Sequence, residues 1–358
     1  MTMQHTGSVR FFLGANSKNG FVSLYDNFTD PAAGDFLWVI KGGPGCGKST
    51  FMKRIGAAAE SAGFAVEYIL CSGDPESLDG VYIPEKQAAY VDGTAPHVIE
   101  AKYPGAASLY LDLGSFLDAS ALESRLPEIM DLNQRYRALY SDAYRQLTAG
   151  AALQPKNLPG FWGTPEKTRL EKKLVGLAAR ELPKQNKNGK YVRRFLSARS
   201  CLGTFRLTDT VQALCPRVWA LDNELGLGHY FLARLADTAL GRGYDVILCP
   251  DPLEPEKTEA VLLPEAGLGF LTLEKDLPVP ESYRHFRLDA MPGSLSAGQK
   301  TLLRQRRRES AALLSAAEDS LSRAKTLHDA LEAVYRKNVD FSGLDALTED
   351  HIHWLLNS

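Results

Sequence analysis

The sequence predicts an α/β protein made of two similar units, each a largely parallel sheet flanked by helices and followed by a helical appendage. Three observations support this prediction: short apolar runs that end in turn residues, long polar stretches typical of helices, and a repeat that relates the two halves. At 358 residues the chain is too long for one compact core, so we expect two domains or more. We divide it into a unit over 1–190, with an appendage at about 120–182, and a unit over 191–358 that ends in helices.

The composition is that of an ordinary globular protein. Hydrophobic residues make up 44% of the chain and the net charge is −2, so nothing global indicates nucleic acid or an anionic membrane as a partner. No apolar run approaches roughly 18 residues, and the start Met1–Gly7 lacks the shape of a signal peptide. The five cysteines form no C-x-x-C pair and read as reduced thiols. We therefore expect a cytoplasmic protein with no membrane contact.

The first element of note is the apolar run Phe36–Ile40, which is typical of a buried parallel strand. Gly42–Ser49 follows it and matches the pattern G-x-x-x-x-G-K-S/T, the P-loop, and Thr50–Ile55 then opens a predicted helix. Glycines let successive backbone N–H groups turn inward, the lysine places a charge on the phosphates, and the hydroxyl reaches Mg²⁺. An ordinary glycine-rich turn is the alternative interpretation.

This pattern predicts a site for a nucleoside triphosphate, with ATP and Mg²⁺ as cofactors. The residues predicted to bind the nucleotide are Gly42, Gly43, Pro44, Gly45, Cys46, Gly47, Lys48, Ser49 and Thr50. A thiol beside phosphate-binding amides and a lysine could have a lowered pKa, but a small residue tolerated at a variable loop position is the favoured interpretation of Cys46. No guanine-reading motif is evident, so adenine is the expected base.

The chain contains an internal repeat. Val9–Gly20 aligns with Val192–Gly203, and Trp38 aligns with Trp219 further along. The match continues through Gly63-Phe64 onto Gly243-Tyr244, Asp74-Pro75 onto Asp251-Pro252, and Pro84-Glu85 onto Pro264-Glu265. Two copies of one unit, fused as tandem P-loop NTPase units, are the economical explanation.

The second copy lacks the phosphate-binding side chains. Its counterpart of the loop is Asp222–Tyr230, where the alignment puts His229 in place of Lys48 and Tyr230 in place of Ser49. Negative residues in this loop would repel a polyphosphate at close range. We therefore predict that the second half is a degenerate, nucleotide-free structural repeat.

The repeat also helps to choose the metal-binding aspartate. Ala88–Asp92 and Ser108–Asp112 both end mostly apolar runs with an aspartate. In the alignment Asp92 falls opposite Thr272, whereas Asp112 falls opposite Asp289. A metal-linked aspartate should disappear together with the phosphate loop, and a structural one should persist. We predict that Ser49 and Asp92 hold Mg²⁺, that Lys48 and Asp92 are catalytic, and that Asp112 is structural.

A further acidic segment, Ser72–Asp79, follows the predicted strand Val66–Leu70 and should open at the carboxyl edge of the sheet, where ligands bind in open α/β folds. A structural role is favoured for Asp74 because the alignment retains it as Asp251. The match of Asp79 to Glu259 does not distinguish a structural from a functional role.

Long polar segments predict the helical appendages. Leu122–Leu147 and Pro165–Leu182 are expected to be helices, and Ala297–Lys337 is expected to be one long helix or a hairpin. Thr148–Gly163 and Pro183–Lys190 are predicted loops. Tyr136, Tyr140 and Tyr144 share one helix face, which we interpret as core, with base stacking as the alternative.

Two segments rich in basic residues leave a choice open. Lys156–Arg194 and Arg304–Arg308 could contact nucleic acid or supply an arginine to a neighbouring site, but solvated helix faces are the simpler interpretation. Nucleic acid is thus not excluded as a partner and is not favoured. His97 could position a water or sense the γ-phosphate, or could be a loop histidine without function.

Taken together, Phe12–Tyr25, the P-loop, Cys71–Gly80 and Val91–His97 resemble an uncharacterised bacterial family of tandem P-loop proteins described as ATPases or ATP-binding proteins. The resemblance implies nucleotide binding and leaves the substrate open. In that family the second half often carries its own P-loop, and this sequence departs from the pattern there.

The most economical function is Mg²⁺-dependent ATP binding and hydrolysis at one site in the first half. A small-molecule or nucleotide kinase, with an unknown acceptor, is one alternative. A non-catalytic switch, in which ATP changes how the halves or a protein partner pack, is the other.

Overall fold

The structure, a computed structural model, describes residues 7–95, 98–275, 277–281 and 283–357. It is a mixed α/β fold with two six-stranded sheets flanked by helices. The first half contains β1 (Val9–Phe12), β2 (Gly14–Ser17), β3 (Gly20–Ser23), β4 (Phe36–Lys41), α1 (Lys48–Ser61), β5 (Glu67–Leu70), β6 (Leu78–Ile83), β7 (Ala88–Asp92), β8 (Ser108–Asp112), α2 (Ala119–Glu123), α3 (Leu126–Leu153) and α4 (Thr164–Glu181).

The second half repeats this series with small changes. It contains β9 (Tyr191–Arg193), β10 (Ser197–Ser200), β11 (Gly203–Arg206), α5 (Thr208–Leu214), β12 (Arg217–Asp222), α6 (Leu227–Gly241), β13 (Val246–Pro250), β14 (Thr258–Leu263), β15 (Leu268–Leu273), β16 (Arg284–Phe286), α7 (Ala297–Arg336) and α8 (Phe341–Asn357).

The two sheets share one strand order. The first runs β1-β5-β6-β7-β4-β8 and the second runs β9-β13-β14-β15-β12-β16, so each strand occupies the place of its counterpart. In both sheets the third strand pairs antiparallel with its two neighbours and the other pairings are parallel. The repeat predicted from the sequence therefore extends to the topology.

The halves meet around a pseudo-two-fold axis. Phe12 N donates to Phe195 O at 2.9 Å and Phe195 N donates to Phe12 O at 2.8 Å, so two equivalent residues of the repeat bond to each other reciprocally. That reciprocity is typical of an isologous interface. A buried ion pair between Arg194 and Glu67 lies nearby, and one continuous hydrophobic core takes residues from both sheets.

The helical appendages are exchanged between the halves. Helix α4, which follows the first sheet, packs with its leucines against α6 of the second half. Helix α8 at the end of the chain packs against α1 of the first half, where Arg54 pairs with Asp345 and with Glu349. His351 of α8 lies with its Nδ1 3.2 Å from the Tyr90 hydroxyl. Each half therefore covers part of the other.

Helices α3 and α7 form a long antiparallel pair. At one end Ser310 Oγ donates to the Gly150 carbonyl at 2.8 Å, and at the other the rings of Tyr136 and His328 lie 5.6 Å apart. The segment from Thr148 was predicted as a loop, but α3 continues to Leu153 because small residues there fit closely against α7. A Cβ added at Gly150 would lie 2.7 Å from a Leu314 methyl. Ala297–Lys337 proves to be one helix and no hairpin.

Within the described part of the chain, no helix combines the length and apolar character that crossing a lipid bilayer requires.

Candidate functional site

A cavity of about 510 Å³ opens where the glycine-rich loop joins β4 to α1. The loop follows the carboxyl end of β4, the edge at which ligands bind in parallel α/β sheets. The residues that line it come from the loop, from the ends of the neighbouring strands, and from α3 and α7: Asn16, Phe21, Gly42, Pro44, Gly45, Cys46, Gly47, Lys48, Ser49, Thr50, Lys53, Cys71, Ser72, Gly73, Asp74, Ser77, Leu78, Asp79, Asp92, Thr94, Ala95, Asn133, Tyr136, Tyr140, His328, Glu332, Arg336 and Phe341.

Two glycines allow the loop to pass close beneath the helices of the second half. Gly45 has φ +70° and Gly47 has φ +81°, a region that favours glycine. A Cβ at Gly45 would lie 2.8 Å from the Glu332 carbonyl oxygen, and one at Gly47 would lie 2.6 Å from a Leu344 methyl. Helix α1 begins directly after Gly47, so its first amides are left without intrahelical partners near the cavity.

Three side chains predicted to be functional lie together. Lys48 Nζ donates to the carbonyls of Gly42 at 3.1 Å and of Gly43 at 2.9 Å, and it lies 3.7 Å from Asp92 Oδ2. Ser49 Oγ accepts from the backbone N–H of Leu78 at 2.9 Å. Asp92 ends β7, which pairs directly with β4, and for this reason its carboxylate reaches the loop.

The acidic loop before β6 reaches the same cavity. Asp74 accepts from Ser77 Oγ at 2.9 Å and lies 3.4 Å from Lys325 Nζ of α7, so it ties the loop to that helix. Asp79 is buried, with its Oδ2 3.0 Å from the Tyr25 hydroxyl that donates to it. Burial raises the pKa of the Tyr25 hydroxyl, with a further contribution from Asp79.

Sequence reasoning missed the far wall of the cavity. Tyr136 and Tyr140, expected in a core, are half-buried and line the cavity instead. From α7 come His328 and Glu332, with His328 Nδ1 3.6 Å from Glu332 Oε1, and the exposed Arg336. No local signal could have found the residues of α7, because nearly 300 residues separate them from the loop. Pro96 and His97 lie outside the described residues.

The alternative of a reactive Cys46 is not supported. The thiol is buried, and burial raises its pKa despite the nearby Lys48. Asp112 accepts from Gly114 N at 2.8 Å at the start of a short 3₁₀ turn, and its structural role stays a prediction.

The second half corrects the residue-by-residue alignment of the loop. Phe64 N bonds to Ala59 O at 3.0 Å and Tyr244 N bonds to Ala239 O at 3.1 Å, so α1 and α6 end at equivalent residues. Counting back along each helix from these bonds places His229 at the position of Ser49. The contacts agree, because Ser49 Oγ touches the first residue of β6 and His229 Nδ1 lies 2.8 Å from the carbonyl of Thr258, the first residue of β14.

The predicted match of His229 to Lys48 and of Tyr230 to Ser49 was thus wrong by one position. Counted back from the helix ends, Gly228 stands at the place of Lys48. Counted forward from the left-handed N-cap residues Gly47 and Gly226, Leu227 does, because α6 is one residue longer than α1, and neither residue is a cation. The match of Asp92 to Thr272 is confirmed by the strand registers, in which Gly80 pairs with Val91 and Ala260 pairs with Leu271.

Two other matches also shift. Ser77 N bonds to Asp74 O and Lys257 N bonds to Glu254 O, so the counterpart of Asp74 is Glu254 and not Asp251. The carboxylate is still retained at that position. The match of Asp112 needs a similar correction. In the strand register Asp112, the last residue of β8, lies opposite Lys41 of β4.

In the strand register of the second sheet Trp219 lies opposite Arg284, and in the first sheet the equivalent Trp38 lies opposite Leu109. This register brings Arg287 to the place of Asp112, so the predicted match with Asp289 was wrong by two positions. Persistence in the second half therefore no longer distinguishes Asp112 from Asp92. The alignment slipped because the loops beyond these strands differ in length.

A second cavity, of about 390 Å³, lies at the equivalent place in the second half. Lys156, expected on a solvated face, is buried here, with Nζ 2.7 Å from Asp251 and 2.9 Å from Glu274. Burial and the nearby Lys156 charge lower the pKa of His229 to about 4. The connection between α3 and α4 thus contributes a positive charge to this cavity, which Arg199, Lys275 and Arg307 also line.

The loop of the second half is capped by its own chain. Asp289 accepts from the backbone N–H of Glu224 at 2.9 Å and of Leu225 at 3.2 Å. Burial raises the pKa of Asp289 to about 6. The exposed Arg307 pairs with Glu224, which accounts for one member of the second basic run.

The first cavity has the groups that a metal-bound polyphosphate requires. It combines a glycine-rich loop, a helix N-terminus, an ammonium group and a hydroxyl with carboxylates at the ends of adjacent strands. Searches against protein-family models, curated proteins and solved structures found no match for this chain.

Proposed function

We propose that the first cavity binds a nucleoside triphosphate, with ATP as the expected nucleotide, together with Mg²⁺, and that the bound nucleotide is hydrolysed there. The observation that carries the proposal is the loop Gly42–Ser49 between β4 and α1, with Lys48 and Asp92 3.7 Å apart beside it. A glycine-rich loop before a helix N-terminus is suited to phosphate because amides and helix dipole both favour an anion.

The residues have separable roles in this proposal. The Lys48 ammonium would leave the carbonyls of its own loop and neutralise the β- and γ-phosphates. Ser49 and Asp92 would hold Mg²⁺, directly or through water. The bound cation would neutralise charge on the phosphate oxygens. Arg336 and Lys53 add positive charge at the rim of the cavity.

We further propose that the chain is a tandem of P-loop units, as the family that its motifs resemble suggests, and that only the first unit retains nucleotide binding. Equal strand order in the two sheets supports this reading. The capping of the second loop by Asp289 supports the loss of binding there, because those amides already have an anionic partner. We propose a cytoplasmic location, where ATP and Mg²⁺ are available.

Calorimetric titration of the full chain with ATP and Mg²⁺ tests the proposal. We expect one nucleotide per chain, no measurable binding for Lys48→Ala, and unchanged binding for His229→Ala, because only the first loop provides a phosphate-binding cation. Thermal unfolding of both variants would verify that they are folded. Binding of two nucleotides per chain, or loss of affinity in the His229 variant, would contradict the single-site assignment.

A kinase is the second candidate, and the far wall of the cavity favours it. Asn133, Tyr136, Tyr140 and His328 offer hydrogen-bonding groups to a second substrate beyond the loop. ADP release that depends on an added acceptor, with little turnover in water alone, would favour this activity over hydrolysis. Tight ATP binding with no ADP formation would instead indicate a switch.

A further inference from the structure

Two carboxylates face each other across neighbouring strands of the first cavity. Strands β6 and β7 are antiparallel, with Gly80 paired to Val91, so the next step along the ladder puts Asp79 opposite Asp92. Both residues line the cavity. Like charges directly opposite each other destabilise a sheet. Lys48 Nζ lies 3.7 Å from Asp92 Oδ2 and the Tyr25 hydroxyl donates to Asp79 at 3.0 Å. One ammonium thus faces two carboxylates, and this position favours a further cation.

The second half has a cation at the equivalent position. There Ala260 pairs with Leu271, so Glu259 lies opposite Thr272. The Arg206 guanidinium spans this pair, with Nη2 2.6 Å from Glu259 Oε1 and Nη1 donating to the Thr272 carbonyl at 3.0 Å. All three residues are buried. A positive group thus occupies the place between the two strands.

The first half differs at the residue that supplies this cation. Arg206 ends β11 and pairs with Ser197, and its counterpart at the end of β3 is Ser23, which pairs with Gly14. The first half therefore has an uncharged residue where the second has an arginine. It also has a second carboxylate, Asp92, where the second half has a threonine.

From this comparison we propose that Asp79 is, with Asp92, a ligand of the divalent cation in the first cavity, at the place that the Arg206 guanidinium takes in the second half. The inference rests on the proposed function and adds a residue to its metal site. The hydrogen bond from the Leu78 N–H to Ser49 Oγ supports this ligand assignment, because it holds the Ser49 hydroxyl beside Leu78, the residue that precedes Asp79. Carboxylate and hydroxyl oxygens suit a hard cation such as Mg²⁺.

Mn²⁺ binding by the full chain without nucleotide, measured by electron paramagnetic resonance of the free ion, tests the proposal. We expect Asp79→Asn and Asp92→Asn each to weaken Mn²⁺ binding by about tenfold or more, and the matched variant Asp112→Asn to leave it unchanged. Unchanged Mn²⁺ affinity in Asp79→Asn, or no binding by the unsubstituted chain, would overturn the assignment.

A second variant keeps both carboxylates and tests the same position. Ser23→Arg introduces the arginine of the second half, and we expect it to displace Mn²⁺ because its guanidinium would lie between Asp79 and Asp92. Retention of full Mn²⁺ affinity in a folded Ser23→Arg protein would overturn the proposal even if Asp79→Asn did not fold.

Titration of the unsubstituted chain with ATP and Mg²⁺, set beside the Mn²⁺ binding of Asp79→Asn, separates this inference from the proposed function. If ATP binds and Asp79→Asn retains Mn²⁺, the ligand assignment fails while the nucleotide site stands. If ATP does not bind while Asp79→Asn loses Mn²⁺, the nucleotide site fails and the metal site stands.

Discussion

The two cavities of this protein occupy equivalent positions in the fold, but their charged side chains have different partners. In the second, Lys156 lies within 2.9 Å of Asp251 and of Glu274, and Asp289 caps the loop amides. In the first, Lys48 bonds to carbonyls of its own loop and lies 3.7 Å from Asp92. Two cavities at equivalent places of a repeat can thus accommodate their charges differently, one through buried ion pairs within the chain and the other through groups that line an open cavity.

The same comparison separates function from stability. In the second half Lys156, Asp251 and Glu274 form a largely buried cluster of charges, so these groups should matter to folding. In the first half the corresponding groups line an open cavity, so they should matter to ligands. Four experiments test this distinction.

The largest effect is expected from dividing the chain. A fragment of residues 1–190 loses α7 and α8, which cover the loop and α1 of the first half. Exposing even about 600 Å² of apolar surface costs roughly 15 kcal/mol of gross transfer free energy, an upper bound that exceeds typical domain stability. We expect the fragment to aggregate or to bind ATP much more weakly. A soluble, monomeric fragment with full affinity would show that the second half is an independent module.

Removing the buried cation of the second half should have the next largest effect. Lys156→Met leaves Asp251 and Glu274 buried together without their ammonium partner, and breaking such a cluster costs about 3–5 kcal/mol. Lys48→Met should cost less than about 1 kcal/mol, because its ion pair is long. Urea unfolding of both variants measures the difference. Equal losses would remove the distinction between a structural and a functional lysine.

The third expectation concerns acid stability. Burial lowers the pKa of His229 to about 4, below its unfolded value, so the neutral form stabilises the fold above about pH 6.5 and this contribution is lost as the pH falls. Between pH 7 and pH 4 the loss is about 3 kcal/mol. His229→Gln should therefore show a smaller decrease in the free energy of unfolding over this range than the unsubstituted chain. Parallel decreases would mean that His229 does not control acid stability.

The smallest of the four effects concerns the two aspartates that flank β4. Asp92→Asn should reduce ATP hydrolysis by about a hundredfold, or about 2.7 kcal/mol, because it removes a metal-linked charge and few atoms. Asp112→Asn should leave the rate unchanged and lower the melting temperature slightly, since this residue caps a turn. The reverse pattern in rate and melting temperature would show that the choice between them was wrong.

The repeat alignment was accurate where the chain is regular and inaccurate in loops. Trp38 and Trp219, and Asp92 and Thr272, keep the predicted equivalence because strand pairing fixes their registers. The matches of Lys48, Asp74 and Asp112 slipped by one to three positions. Where a loop differs in length between the two halves, a sequence alignment can match residues of similar type that are not structurally equivalent. Backbone hydrogen bonds determine which residues are equivalent.

The sequence by itself determined the glycine-rich loop, the strand and helix on either side of it, and the division into two similar halves. These features depend on local spacing and on side-chain type, which the chain order displays directly. The candidate residues Lys48, Ser49 and Asp92 could be chosen from the sequence for the same reason.

Only the tertiary structure decided which helices cover which half, that Tyr136, Tyr140 and Arg336 line the first cavity, and that Lys156 fills the second. These outcomes depend on the packing of elements that lie far apart in the chain. Several arrangements of amphipathic helices satisfy the same periodic pattern, and the choice among them comes from how complete surfaces fit together.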